Sequence, residues 1–271
     1  MKLPRSTYYY KPKENKPDDS SLLKRIEELV EEFHRYGYRR ITAQLHREGI
    51  PVNHKKVLRL MRERGLLCKT RRRWVRTTDS THGYRIYPNL LPQGPVNAPN
   101  RVWIADLTYI RIFIGFVYLA VILDLFSRKA IGYGLSRNID TQLSLKALHM
   151  ALQRRNPPPG VIHHSDQGVQ YAADDYVDTL NSHGFQISMA RKGNPYDNAV
   201  AESFLKTLKT EEVYLWEYQT LADVEKRVPY FIEQVYNRKR LHSSLNYRPP
   251  DEYERMFHPN NHHHPCLTAL T

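Results

Sequence analysis

The sequence predicts an α/β fold: a mixed β-sheet with flanking helices, preceded by a small helical domain. Three observations carry this. Apolar residues recur at helical spacing as far as Gly65. From residue 100 the texture changes to three closely spaced β-rich segments, followed by an α-β-α-β-α succession. The chain has 271 residues, 41 % of them hydrophobic, enough for two modest domains with a real core.

In the first part, Ile26, Leu29, Val30 and Phe33 fall at i, i+3, i+4 and i+7, one face of a helix. A second helix fits Tyr38–Arg47, with Ile41 and Leu45 inward and Gly49 ending it. A third fits Asn53–Arg64: Asn53 caps it, Val57, Leu60 and Met61 form its buried stripe, and Gly65 stops it. Its outer face carries Lys55, Lys56, Arg59, Arg62 and Arg64. Two short helices around a glycine turn, the second basic outside, describe a helix-turn-helix; the plainer reading is a solvated basic helix in a small bundle.

Residues 69–99 break that pattern. A basic run containing Arg71, Arg72 and Arg73 closes on Trp74, and Pro88, Pro92, Pro95 and Pro99 follow. An extended linker able to lie along a phosphate backbone is expected. The net charge of +13 is concentrated here: residues 1–99 hold 22 Lys and Arg against 10 Asp and Glu, leaving 19 against 18 in residues 100–271. A basic arm feeding a near-neutral working domain points to a polyanionic partner.

The sheet begins with Val102–Ile112, Phe116–Phe126 and Ala130–Leu135, close enough for antiparallel pairing. A helix fits Gln142–Arg154, then a strand Val161–Ser165, a helix Asp174–Ser182, a strand Phe185–Ala190 and a long helix Asn198–Tyr214. The last fifty or so residues read as helical and then loose, with His262–His264 in the tail. The division expected is 1–68 helix-turn-helix, 69–99 linker, 100–215 catalytic domain and 216–271 helical extension. Cys68 and Cys266 give neither a disulfide framework nor a Cys-type zinc site. The N-terminus lacks an apolar signal region and the longest uncharged apolar stretch, Phe116–Leu123, is too short for a bilayer, so no membrane association is expected.

Three acids stand where chemistry needs them. Phosphodiester cleavage without a covalent intermediate requires an activated nucleophile and neutralisation of the phosphate, which two divalent ions supply. Magnesium takes hard oxygen ligands and keeps several waters, so two or three carboxylates suffice. Asp106 interrupts an apolar strand, a costly place for an unpaired carboxylate. Asp166 ends a strand, where open α/β sheets place their sites. Glu202 lies early on the long helix, 36 residues after Asp166. Taken singly, each acid reads as structural or solvated. Asp124, four residues before Arg128, reads as a structural ion pair, and Asp197 with Asn198 as a turn and helix cap.

The spacing of the three acids is similar to that of retroviral integrases and bacterial insertion-sequence transposases. The flanking residues resemble the insertion-sequence-three family, second reading frame, more closely. The matching stretches are Trp103–Tyr109 (WIADLTY), His163–Gly168 (HHSDQG), Gly193–Phe204 (GNPYDNAVAESF), Tyr236–Arg238, Arg240–Leu245 and Tyr38–Ile41. They span about residues 20–255, in order. The retroviral zinc-binding N-terminal domain has no counterpart here; a helix-turn-helix stands in its place.

The resemblance implies an RNase H-like five-stranded mixed sheet and a DDE transposase of a bacterial insertion sequence. Asp106, Asp166 and Glu202 would hold two Mg²⁺ or Mn²⁺ ions for 3′-end cleavage and strand transfer. Double-stranded DNA, as terminal inverted repeats and target, is the expected partner. The chain would act as a homo-oligomer, at least a dimer, on DNA in the bacterial cytoplasm, with an upstream-frame partner or frameshift fusion. Lys55, Lys56, Arg59, Arg62, Arg71, Arg72, Arg73 and Lys209 are the expected DNA contacts; His164, Asn194 and Asn198 are expected beside the site. Lys209 lies seven residues after Glu202, on the same helix face about 10.5 Å along. Its competitor Lys206 has the plainer role of an i,i+4 ion pair. Two rivals use the same residues differently: an RNase H-like structure-specific nuclease, and a transposase-derived repressor that would have lost an acid.

Overall fold

The computed structural model describes residues 19–68, 84–191 and 197–257. The chain forms two compact units divided between Arg71 and Arg72. Arg71, Arg72, Arg73, Asn194 and the His262–His264 run lie outside the described residues.

The first unit contains α1 (Ser20–Glu32), α2 (Tyr38–Arg47) and α3 (His54–Glu63). Each buries the stripe its spacing dictates: Ile26 and Leu29, then Ile41 and Leu45, then Val57, Leu60 and Met61. The Asn53 side chain accepts from the Lys55 N–H at 2.8 Å, supplying one of the acceptors that a helix start lacks. Gly49 and Gly65, the residues that end α2 and α3, take φ of 78° and 68°, a region where a side chain would be strained.

The second unit is built on β1 (Val102–Arg111), β2 (Phe116–Asp124) and β3 (Ala130–Ser136), then α4 (Thr141–Arg155), β4 (Ile162–Ser165), α5 (Val169–Ala172), α6 (Asp174–Ser182), β5 (Gln186–Met189) and α7 (Ala199–Glu211). The strands form one five-stranded sheet in the order β3-β2-β1-β4-β5. β1, β2 and β3 pair antiparallel; β4 runs parallel to β1 and to β5. The mixed sheet expected from the sequence is therefore present.

Alternation along β1 sends its residues to two cores. Val102, Ile104 and Ile110 pack with Phe204, Leu205 and Leu208 of α7. Trp103 and Ala105 pack with Leu143, Leu148 and Ala151 of α4. On that second face the helix approaches closely enough that a Cβ on Gly132 would lie 2.2 Å from the Ala147 carbonyl oxygen. Only glycine lets α4 rest on β3.

Two elements end earlier than their sequence suggests. β2 stops at Asp124 rather than Phe126, because the Asp124 carboxylate accepts from the N–H groups of Phe126 (2.9 Å) and Ser127 (3.4 Å) and turns the chain. α7 ends at Glu211, and Val213–Leu215 continues as a separate 3₁₀ turn.

The flanking segments are also more engaged than their composition suggests. Residues 84–99 run against the sheet: Met189 N–H donates to the Pro88 carbonyl (3.4 Å), Leu90 N–H to Ser188 Oγ (2.8 Å), and Leu91 and Val96 pack on the α7-side core. Proline suits such an edge because it needs no ladder partner. After α7, the helix α8 (Leu221–Tyr230) and the π-wound turn Phe231–Asn237 give Val224, Val228, Phe231, Ile232 and Tyr236 to the same core. The Asn237 side chain brackets Ala130, accepting from its N–H at 3.0 Å and donating to its carbonyl at 2.9 Å. The final helix α9 (Pro250–Arg255) brings Glu254 to Ser127 (2.6 Å) and to Arg155.

Candidate active site

The separation of the first two acids is a property of strand register. β4 pairs with β1 in parallel as Val102↔Ile162, Trp103↔His163 and Ile104↔His164, an offset of 60 residues. Asp106 and Asp166 have that same offset just beyond the last paired residues, and Asp166 acts on Asp106 as a like charge. β4 itself ends at Ser165, which leaves Asp166 at the strand's carboxyl end. Glu202 comes from the other direction, as the acid of the first turn of α7, the helix that covers this face of the sheet.

Backbone donors orient the two aspartates. Leu107 N–H donates to Asp106 Oδ1 at 2.8 Å, and Gly168 N–H to Asp166 Oδ1 at 3.0 Å. A side chain on Gly168 would crowd the acid, since its Cβ would stand 2.9 Å from Asp166 Oδ1. Gln167 fixes the same turn by donating to the Ala190 carbonyl at 3.0 Å. Burial, with the like charges of Asp166 and Glu202, pushes the Asp106 carboxyl up to about 8, against which Leu107 and the Lys209 cation act. The three expected acids thus share one field. Among the described residues no three His, Cys, Asp or Glu side chains form a ready-made metal cage.

Lys209 reaches the same place. Its Nζ lies 4.7 Å from the centre of the Tyr109 ring, and burial holds it below the usual lysine range while the Asp106 carboxylate pulls the other way. Lys206 is exposed, and no ion pair joins it to Glu202 among the described residues.

His164 is fully buried, and burial pushes it down to about 4, so the imidazole is neutral. Its Nδ1 is 2.8 Å from Ser188 Oγ, which already accepts the Leu90 N–H. Nε2 is buried as well, and the charge and backbone of nearby Asp197 oppose the downward push of burial. His163 points into the opposite core and meets Tyr176 Oη at 3.0 Å. Asn198 does not cap α7 with its side chain; its backbone carbonyl accepts the Glu202 N–H at 3.1 Å, and its buried Oδ1 has no partner. Asp197 is held by Arg191, through the backbone N–H at 3.0 Å and the guanidinium at 3.2 Å.

One participant escaped the sequence reading. Tyr171 on α5 buries its hydroxyl without a partner, and Asp106 and Asp166 join burial and Tyr176 in raising it well above the usual phenol range. Its only sequence signal is an aromatic five residues past Asp166. Asp124 is structural, as expected, but its partners are the Asn100 N–H at 2.7 Å and Arg155 at 4.0 Å rather than Arg128, whose contribution is a backbone N–H.

In the helical unit the expected DNA contacts divide. Lys56 and Arg59 both pair with Asp19, at 2.5 and 3.1 Å, and Arg59 also with Glu63 at 2.9 Å. Lys55 and Arg62 are exposed, with no ion pair among the described residues. No helix among the described residues is long and apolar enough to cross a membrane.

Comparison with known proteins agrees with this geometry. The integrase core domain family matches residues 96–195, a second integrase core family residues 183–250, and an HTH-like domain family residues 17–74. The chain is 42 % identical to the transposase for insertion sequence element IS904 of Lactococcus lactis, covering 82 % of this chain and 88 % of that protein. It is 39 % identical to transposase InsF for insertion sequence IS3A of Escherichia coli (81 % and 77 %), and 38 % identical to an uncharacterized 31 kDa protein of insertion element IS600 of Shigella sonnei (94 % and 96 %). In structure it resembles a chain of the simian T-cell lymphotropic virus intasome solved with PP2A regulatory subunit B56 gamma. The TM-score is 0.50 at 14 % identity, covering 91 % of this chain and 77 % of that one, a likeness of fold alone. An RNase H-like sheet carrying this acid spacing, an HTH-like domain and relatives matched over most of their length lead to one conclusion: the chain belongs to the insertion-sequence-three family of DNA transposases.

Proposed function

We propose that this transposase cuts and joins DNA strands with Asp106, Asp166 and Glu202 as its metal-holding carboxylates. The observation that supports it is that Asp106 and Asp166 share the 60-residue offset of the β1–β4 register and that Asp166 and Glu202 act on Asp106 as like charges. Integrase core domains are divalent-metal dependent. Three hard oxygen donors that meet as like charges fit two Mg²⁺ or Mn²⁺ ions per site. When bound, such ions supply an activated oxygen nucleophile and neutralise the phosphate.

The chain's own residues hold the reaction in place. Leu107 and Gly168 each fix one oxygen of an aspartate, so that neither carboxylate turns freely. Glu202 enters on a helix whose Ala201, Phe204, Leu205 and Leu208 are locked in the core, so it closes the site on a rigid support. Lys209 offers a cation to the DNA backbone beside the scissile phosphate. Cleavage at the element's 3′ end frees a 3′-OH, and the same site aligns that hydroxyl with a second phosphate for joining.

The remaining parts divide the task. The helical unit, residues 1–68, captures the terminal inverted repeats, with Lys55 and Arg62 of α3 as exposed cations that have no ion pair among the described residues. Residues 69–99 lead to the sheet, residues 100–215 carry the acids, and 216–257 buttress them. A homo-oligomer on DNA, in the bacterial cytoplasm and with an upstream-frame partner or fusion, fits this division. The test is strand cleavage and joining by the purified protein on a terminal-repeat duplex. Mg²⁺ or Mn²⁺ supports both steps and Ca²⁺ supports little, because Ca²⁺ tolerates looser coordination than in-line attack allows. Equal rates with Ca²⁺ overturn the metal assignment.

A further inference from the structure

The strand that carries Asp106 does not end at the site. β1 and β2 stay paired from Trp103↔Asp124 to Arg111↔Phe116, whereas β4 pairs with β1 only as far as Ile104. The β1–β2 hairpin therefore runs on well past the end of β4, on the side where Asp166 lies. Its turn is Ile112–Gly115, closed by the Ile112 N–H donating to the Gly115 carbonyl at 3.2 Å. Gly115 takes the left-handed position at φ 86°, as the turn requires. The two apex positions are then free to hold polar residues, as turns usually do. They hold Phe113 and Ile114, which are 75 % and 76 % exposed, and Phe116 beside them is 45 % exposed.

The fold does not account for Phe113 and Ile114, which face solvent, and it covers only part of Phe116. They form an apolar point rather than a face. A stable protein interface buries about 800 Å² per partner, and three side chains on a two-stranded tip cannot supply that. The tip is also continuous with the acidic cluster. Phe116 meets the Tyr109 ring edge-on at 5.3 Å, Tyr109 carries Lys209 over its face at 4.7 Å, and Lys209 feels the Asp106 carboxylate. Arg111, exposed at the base of the turn, adds a cation. An apolar point flanked by cations is the composition of a side-chain wedge that enters a duplex between base pairs while its neighbours hold phosphates.

We propose that the Phe113–Ile114 apex is such a wedge: it unstacks a base step of the DNA bound in the active site and so bends the strand into the cleft. The inference rests on the assignment of the three acids as the cutting site. From Asp106 to the apex is about seven residues at ~3.3 Å each, roughly six or seven base-pair steps.

The experiment scans 2-aminopurine through a terminal-repeat duplex bound by the full chain, at each step from the scissile phosphate outward. It is done on the Asp106→Asn background as well as on the unaltered chain. Fluorescence should rise at one step, about six or seven from the cut, in both proteins, because unstacking does not need the chemistry. In Phe113→Ser/Ile114→Ser the rise should vanish and cleavage should fall about tenfold, within what one base-stacking contact contributes. A duplex with a mismatch built in at that step should restore cleavage to within about twofold of the unaltered chain, since the unstacking is then already done. Phe113→Trp should keep both signal and activity. The wedge is overturned if no step brightens. It is also overturned if the mismatch gives no rescue, or if the double variant changes the mass of the protein in sedimentation while the fluorescence stays, which would make the tip a contact to a second copy. Loss of cleavage in Asp106→Asn with the signal intact, or its absence, reports on the acids separately.

Discussion

The two units treat charge in opposite ways. On the helical unit, cations are many and several are already answered: Asp19 holds Lys56 and Arg59, Glu63 holds Arg59, and Arg25 is clasped by Glu28 and Glu48 at 2.7 Å each. In the sheet unit, the Arg155–Glu254 and Arg240–Glu211 pairs are well made. At the acids themselves like charges meet, and Asp106 is driven up to about 8. Paired charge marks where the structure is holding itself; like charges brought together mark where it awaits something else. Lys55 and Arg62, with no ion pair among the described residues, stand apart from Lys56 and Arg59 on the same helix.

The contrast between the units breaks most visibly at the acids. Asp106→Asn, Asp166→Asn and Glu202→Gln should each lower cleavage and joining by at least about a thousandfold while end binding, measured by gel shift, stays largely intact. Near-normal strand transfer by any one of them would remove that residue from the site.

A smaller effect should follow from Gly168→Ala. The new Cβ would press on Asp166 Oδ1, and a shift of about 1 Å in a catalytic group costs on the order of a hundredfold. Rate against Mg²⁺ concentration should show the loss, with the melting temperature little changed. An unaltered metal response would mean that the carboxylate moves aside without consequence.

Lys209→Ala should reduce strand transfer and capture of the pre-cleaved end by about tenfold, the effect of one charge-assisted phosphate contact. Lys206→Ala should do less. If Lys206→Ala proves the more damaging, Lys209 drops out of the site.

The finest distinction lies within α3. Replacing Lys55 and Arg62 together by alanine should flatten the salt dependence of DNA binding by about 0.9 for each phosphate left without its cation. Replacing Lys56 and Arg59 should disturb the salt slope less and the stability of the helical unit more, by a few tenths of a kcal/mol for such exposed pairs. Equal slopes from the two double variants would show that the pairs with Asp19 open when DNA arrives.

Much of this was legible in the sequence, and the reason is local. Stripes such as Val57, Leu60 and Met61, and breaks such as Gly49, are written within a few residues of one another, so the helical unit could be drawn almost to its ends. The acids were legible because their flanks are long motifs. The partner of Asp124 was not: Arg155 arrives from the far end of α4, and no periodicity announces such a meeting. The engagement of residues 84–99 was hidden for a similar reason. A proline-rich stretch reads as a linker until an edge strand offers it donors, as β5 does through Ser188 and Met189. His164 could be named as site-adjacent, but its hydrogen bond to a serine 24 residues on, which accepts from a backbone N–H 74 residues back, is visible only in three dimensions.

The offset of 60 shared by the β1–β4 ladder and the first two acids has a consequence for how such chains can change. Parallel neighbours cannot be joined by a tight turn, so everything between Asp106 and Asp166 is an excursion, out through β2, β3 and α4 and back. The loop from Asn156 to Gly160 could grow or shrink by several residues, and the acids would still meet once the strands paired, although the number separating them would differ. A slip of one residue in the ladder would leave that number untouched and turn Asp106 towards α4, among Trp103 and Ala105. The site is written in phase rather than in distance, and a search that fixes the interval will overlook relatives that have kept the phase.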